Sequence, residues 1–71
     1  MTVGERIAFH RKELGISKAE MARKCGLTRA TICHYEKDQR EPTLINAMCV
    51  ADVLGISLDY LARGEVAKNE V

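Results

Sequence analysis

Apolar residues recur along the chain at spacings of three and four, separated by short polar stretches. No window shows strand alternation with β-branched enrichment. Helix punctuation divides the pattern. Thr2-Val-Gly-Glu5 and Ser17-Lys-Ala-Glu20 each fit a capping box, in which the hydroxyl accepts from an early backbone N–H and the glutamate reaches back. Thr28, Thr43 and Ser57 stand as further N-caps. Gly15, Gly26, Gly55 and Gly64 each follow a periodic run, where left-handed backbone is often required. Pro42 precedes the Thr43 cap, and a helix seldom continues up to a residue followed by proline. These marks predict five helices, about 3–14, 18–25, 29–36, 44–54 and 58–63.

Within the fourth helix, Leu44, Ala47, Met48, Ala51 and Leu54 fall on one face. The stripe of the first is Val3, Ile7, His10 and Leu14. His10 is its odd member, either a half-buried snorkelling side chain or a pH-sensitive packing defect. The loops are short, so consecutive helices must pack on each other. The fold class expected is all-α, five short helices packed into one bundle. Seventy-one residues suffice for one domain, read here as 1–63 with a polar tail or linker at 64–71. A further domain once following that tail is a third possibility.

Composition then narrows the chemistry. Phe9, Tyr35 and Tyr60 are the only aromatics, so the core must be aliphatic. Net charge is +1, which removes any bulk-charge case for nucleic acid. Its distribution is uneven: residues 1–40 hold nine Lys/Arg against five Asp/Glu, while residues 41–71 hold two against five. One end is therefore suited to face a polyanion. Cys25, Cys33 and Cys49 form an odd set with no CxxC, which reads as free thiols in a reducing cytoplasm. Cys25 and Cys49 are read as core and Cys33 as outward, either a tolerated small side chain or an oxidation-sensitive thiol. His10 and His34 lack zinc-finger spacing, so no metal or other cofactor is expected. No apolar run approaches a membrane span. With no phosphate-binding glycine loop and no nucleophile–base set, an enzyme is not expected either, and no small-molecule substrate is evident.

The informative stretch is residues 18–37. Two short helices flank a turn at Gly26-Leu27-Thr28. Ala22, four residues before Gly26, supplies the small residue that steeply crossing helices need. Gly26 supplies the positive φ of a sharp turn, and Ile32 faces back into the first helix. Met21, Cys25, Leu27 and Tyr35 complete the apolar set. Arg29, Ala30, Cys33, His34 and Lys37 are left outward.

From residue 4 to about 64 the chain resembles, without a gap, the lambda-repressor-like helix-turn-helix domains, also called the Cro/C1 or Xre type. The matching stretches are GERI at 4–7, RKELGIS at 11–17, AEMARKCGLTRATI at 19–32, YE at 35–36, REPTL at 40–44 and ADVLGISLDYL at 51–61. The resemblance implies a five-helix bundle whose third helix enters the major groove of double-stranded DNA. It also implies a prokaryotic or phage-type transcription regulator, a repressor by preference, acting as a homodimer. Some relatives instead serve as antitoxins or co-activators, so a protein-interaction module is the alternative.

The resemblance also assigns roles by position. Thr28, Arg29, Ala30, Cys33 and His34 match positions that face the duplex. Arg29, Ala30, Cys33 and His34 are the base-contact candidates; arginine reaches guanine O6 and N7 with both arms, and alanine meets a thymine methyl. Ser17, Lys18, Thr28, Lys37 and Arg40 are the phosphate candidates. Lys18 stands where glutamine is usual, which keeps a donor, adds charge and loses an amide that would orient the reader. Arg11 and Glu36 match a structural ion pair. Ile56, Leu58 and Tyr60 are the dimer-interface candidates, with a place in the last wall of the core as their other reading. Asp38 stands where relatives commonly have glycine, so the 37–41 loop is expected to take another path.

Overall fold

The computed structural model describes residues 1–64. Every helix in it begins at a hydroxyl. Thr2, Ser17, Thr28, Thr43 and Ser57 accept from the backbone N–H three residues on, at 3.1, 3.0, 3.1, 3.2 and 2.9 Å respectively. The helices they start are α1 (Val3–Glu13), α2 (Lys18–Cys25), α3 (Arg29–Glu36), α4 (Leu44–Leu54) and α5 (Leu58–Arg63). The reciprocal capping box closes at Thr2 with Glu5. At Ser17 only the hydroxyl half forms, and Glu20 instead lies 4.0 Å from Arg23. Gly64 caps α5, and residues 65–71 of the expected 64–71 tail lie outside the described residues.

Helix α1 packs across α3, α4 and α5, α2 lies against α3 and α4, and α4 meets α5. The enclosed core is Ile7, Met21, Ala22, Ile32, Tyr35, Val50, Ala51, Leu54 and Leu61. Two of the expected stripes are displaced. Along α4 the buried arc is Val50, Ala51 and Leu54, with Ala47 packed against it, while Leu44 and Met48 remain 65% and 46% exposed. Only Asn46 and Asp52 are polar in that helix, so its period fits more than one arc; α2 and α5, seated against it, decide which is covered. On α1, Leu14 is exposed because it is the C-cap, and Ile16 packs on the core in its place.

Two arginines of α1 are buried. Arg11 donates to Glu36 through Nε (2.7 Å) and Nη2 (3.2 Å), and through Nη1 to the Ile16 carbonyl (2.9 Å). A carboxylate at the C-terminal end of α3 opposes the helix dipole, and the guanidinium offsets that disadvantage. Arg6 escaped the sequence reading. Its Nε and Nη2 donate to the carbonyls of Leu61 (2.9 Å) and Ala62 (3.2 Å), and Nη1 donates to Met1 (2.7 Å). These are end-of-helix carbonyls of α5, where a cation is favoured. Nothing in the local pattern around Arg6 distinguishes it from a solvated arginine.

Gly4 marks the closest approach of α1 to α3. A Cβ there would collide with the carbonyl oxygens of Tyr35 and Glu36, both backbone atoms. Gly4→Ala is therefore expected to destabilise the domain by about 1–3 kcal/mol, read as a lower urea midpoint. Arg11→Ala is expected to cost about 3–5 kcal/mol, because it leaves the Glu36 carboxylate buried alone; Arg11→Met combined with Glu36→Leu should cost far less.

Candidate nucleic-acid interface

Helices α2 and α3 meet at Gly26, whose φ of +71° ends α2. The Leu27 N–H returns to the Ala22 carbonyl at 2.8 Å and fixes the bend. Ala22 is buried beneath the crossing, and α3 turns Ile32 and Tyr35 inward, so that both are enclosed. Asn46 of α4 donates to the Tyr35 hydroxyl at 2.9 Å and satisfies the one polar atom of that face. With the inner face spent on the core, Thr28, Arg29, Ala30 and His34 are exposed on the outer one. Cys33 is not outward but half-buried, and Lys18 brings its Nζ to 3.9 Å from the Cys33 Sγ. Fifteen residues separate the two in sequence, and no spacing rule would have joined them.

Ser17 is exposed at the start of α2, with its hydroxyl engaged in the cap. The Thr28 hydroxyl is shared between the Thr31 N–H and the Thr31 hydroxyl, 3.1 and 2.8 Å away. Lys37 caps the C-terminal end of α3 and Arg40 follows in the loop, both exposed. No described carboxylate pairs with Lys18, Arg29, Lys37 or Arg40; the described ion pairs are Arg11–Glu36, Arg23–Glu20 and Arg63–Asp59. The loop after α3 does not avoid the glycine-like path. Asp38 adopts it, with φ at +57°. Asp is among the few side chains that reach this region, and its carboxylate is engaged locally: Oδ1 accepts from the Gly4 N–H at 3.0 Å and Oδ2 from the Thr2 hydroxyl. Among the described residues no group of three or more His, Cys, Asp or Glu is placed to hold a metal.

Residues 7–61 match the family model for helix-turn-helix domains. The chain belongs to the Cro/C1-type helix-turn-helix family. Among curated relatives, the repressor protein C2 of Salmonella phage P22 is 32% identical over 69 residues, 97% of this chain and 32% of that protein. The immunity repressor of Bacillus phage phi105 is 34% identical over 70 residues, 99% of this chain and 49% of that one. The chain thus spans a third to a half of the length of these relatives. Among solved structures, the P22 c2 repressor in complex with a synthetic operator superposes with a TM-score of 0.89 at 32% identity, covering 92% of this chain and 98% of that chain.

In this helix-turn-helix domain the three residues considered for a dimer contact have internal partners. Ile56 packs on the core, Leu58 is half-buried, and the Tyr60 hydroxyl lies 3.0 Å from the His10 Nε2. That hydrogen bond explains the polar member of the α1 stripe. Large exposed apolar side chains sit on α4, at Leu44, Ile45 and Met48, and also at Met1, Phe9 and Leu14.

Cys25 and Cys49 are half-buried rather than core. Burial raises the Cys25 thiol above its ordinary value, and the neighbouring Cys49 thiol adds to the rise. A raised folded value favours the protonated, folded form, so this contribution to stability is complete below the ordinary thiol range and fades as pH climbs through the folded value. Cys25 is accordingly expected to alkylate more slowly than free cysteine at pH 8, measured by iodoacetamide labelling and peptide mass analysis; a rate equal to free cysteine contradicts the burial effect.

Proposed function

We propose that the chain binds double-stranded DNA with sequence specificity and serves as the reading domain of a transcription regulator, by preference a repressor, in the cytoplasm. The observation carrying this reading is the exposed outer face of α3, with Arg29, Ala30 and His34 presented to solvent while Ile32 and Tyr35 anchor the inner face. A helix held this way fits the major groove, where base edges carry a distinct donor and acceptor pattern. Arg29, in the first turn, is assigned a guanine, Ala30 a thymine methyl, and His34 a base or phosphate one turn on. Lys18 and Cys33 form the rear edge of the reading surface, with the Lys18 ammonium available to a phosphate. Ser17, Thr28, Lys37 and Arg40 complete the backbone contacts. The likeness to the P22 c2 repressor, solved in complex with a synthetic operator, supports DNA binding by this fold.

A single eight-residue reader spans too few base pairs to select one site in a genome. Homodimerisation doubles the contact and sets half-site centres about 34 Å apart on a palindromic duplex. Ile56, Leu58 and Tyr60 remain the proposed region of that contact, with Leu58 lining a groove beside Pro42 and Ala47.

Selection of duplexes from a random library, followed by titration of the selected site, tests the reading. Arg29→Ala is expected to lose about 1–3 kcal/mol of affinity and relax preference at one base pair. Lys18→Ala is expected to weaken all duplexes alike and reduce the salt slope by about one. An antitoxin-like or co-activator-like module would show no salt-dependent affinity for any duplex, and that result would overturn the reading.

A further inference from the structure

The loop between α3 and α4 carries Lys37, Gln39, Arg40 and Glu41 at the surface, and the Asp38 carboxylate sits between the two cations. A negative charge there would oppose a polyanion. Asp38 avoids that conflict by turning both oxygens onto the start of α1. Oδ1 accepts from the Gly4 N–H at 3.0 Å and Oδ2 from the Thr2 hydroxyl. The N-terminal end of α1 carries the positive pole of its dipole and unpaired N–H groups, so it absorbs the charge. Thr2 serves two partners at once, since its hydroxyl oxygen also accepts from the Glu5 N–H at 3.1 Å. The close passage of Gly4 beneath the Tyr35 and Glu36 carbonyls leaves no room for the loop to settle lower. The backbone contributes a second restraint, with the Asp38 and Gln39 N–H groups returning to the Tyr35 (3.1 Å) and His34 (2.9 Å) carbonyls.

We propose that Asp38 is a positioning residue for DNA binding: its carboxylate, tied to the N-terminus of α1, sets the 37–41 loop so that Lys37 and Arg40 meet the duplex backbone. The proposal rests on the DNA-binding reading and assigns it a residue that touches no base and no phosphate. Two effects of Asp38 are separable by substitution. Its left-handed φ is served equally well by glycine, so Asp38→Gly removes the tie and spares the turn. Asp38→Asn tolerates the same φ and keeps an oxygen for the Gly4 N–H, while losing the charge.

The experiment measures affinity of the full chain for its library-selected duplex across a salt series, beside urea midpoints and the exchange rate of the Gly4 amide by NMR. Asp38→Gly is expected to weaken binding about tenfold, with a salt slope lower by about one and a faster-exchanging Gly4 amide. Asp38→Asn should stay within about threefold of the parent, with its slope unchanged. Parent-like affinity and slope in Asp38→Gly would overturn the proposal. So would a loss of affinity at unchanged slope accompanied by a lower urea midpoint, the mark of general destabilisation. If the parent chain binds no duplex, the DNA-binding reading falls and this assignment with it, whereas failure in Asp38→Gly alone leaves that reading standing.

Discussion

An eight-residue helix does not hold its shape unaided, and everything proposed for this chain depends on α3 being gripped at its C-terminal end by α1. Two contacts provide the grip. Arg11 meets Glu36 with two nitrogens and sends its third to the α1–α2 turn. Gly4, lacking a side chain, lets the first turn of α1 slide beneath the Tyr35 and Glu36 carbonyls, where Asp38 then closes over it.

The opposite end of α3 is governed by the bend at Gly26. There the Leu27-to-Ala22 hydrogen bond and the buried Ala22 hold α2 close enough for Lys18 to reach Cys33. The proposed reading surface is therefore a composite of two helices. Two of the carboxylates beside it are engaged by α1, while Glu41 stays exposed next to Arg40. Glu36 is taken by Arg11, and Asp38 by the start of α1. A chain of net charge +1 can thus present a cationic edge without being basic overall.

The C-terminal half works as a brace. Helix α5, six residues long, is held by Arg6 on its last carbonyls and by Leu61 in the core. Through Tyr60 and His10 it also meets α1 in a polar contact that substitutes for one apolar pair. The P22 and phi105 repressors to which the chain is similar are two to three times its length.

Much of this was legible in the residues alone. Five hydroxyl caps and the glycines after them located all five helices, because capping is a local matter decided within a turn of backbone. Apart from Cys33, the inward and outward faces of α3 followed from period and from Gly26 for the same reason. Tertiary structure decided what local pattern leaves degenerate. Helix α4 is apolar nearly all round, so its neighbours chose the buried arc. Arg6 looked like a surface charge until α5 folded over it. Lys18 met Cys33, and Asp38 met Gly4, only because helices distant in sequence were brought together. Where a hydroxyl caps the helix that follows it, the sequence by itself determined the outcome; where the partner lies across the bundle, packing did.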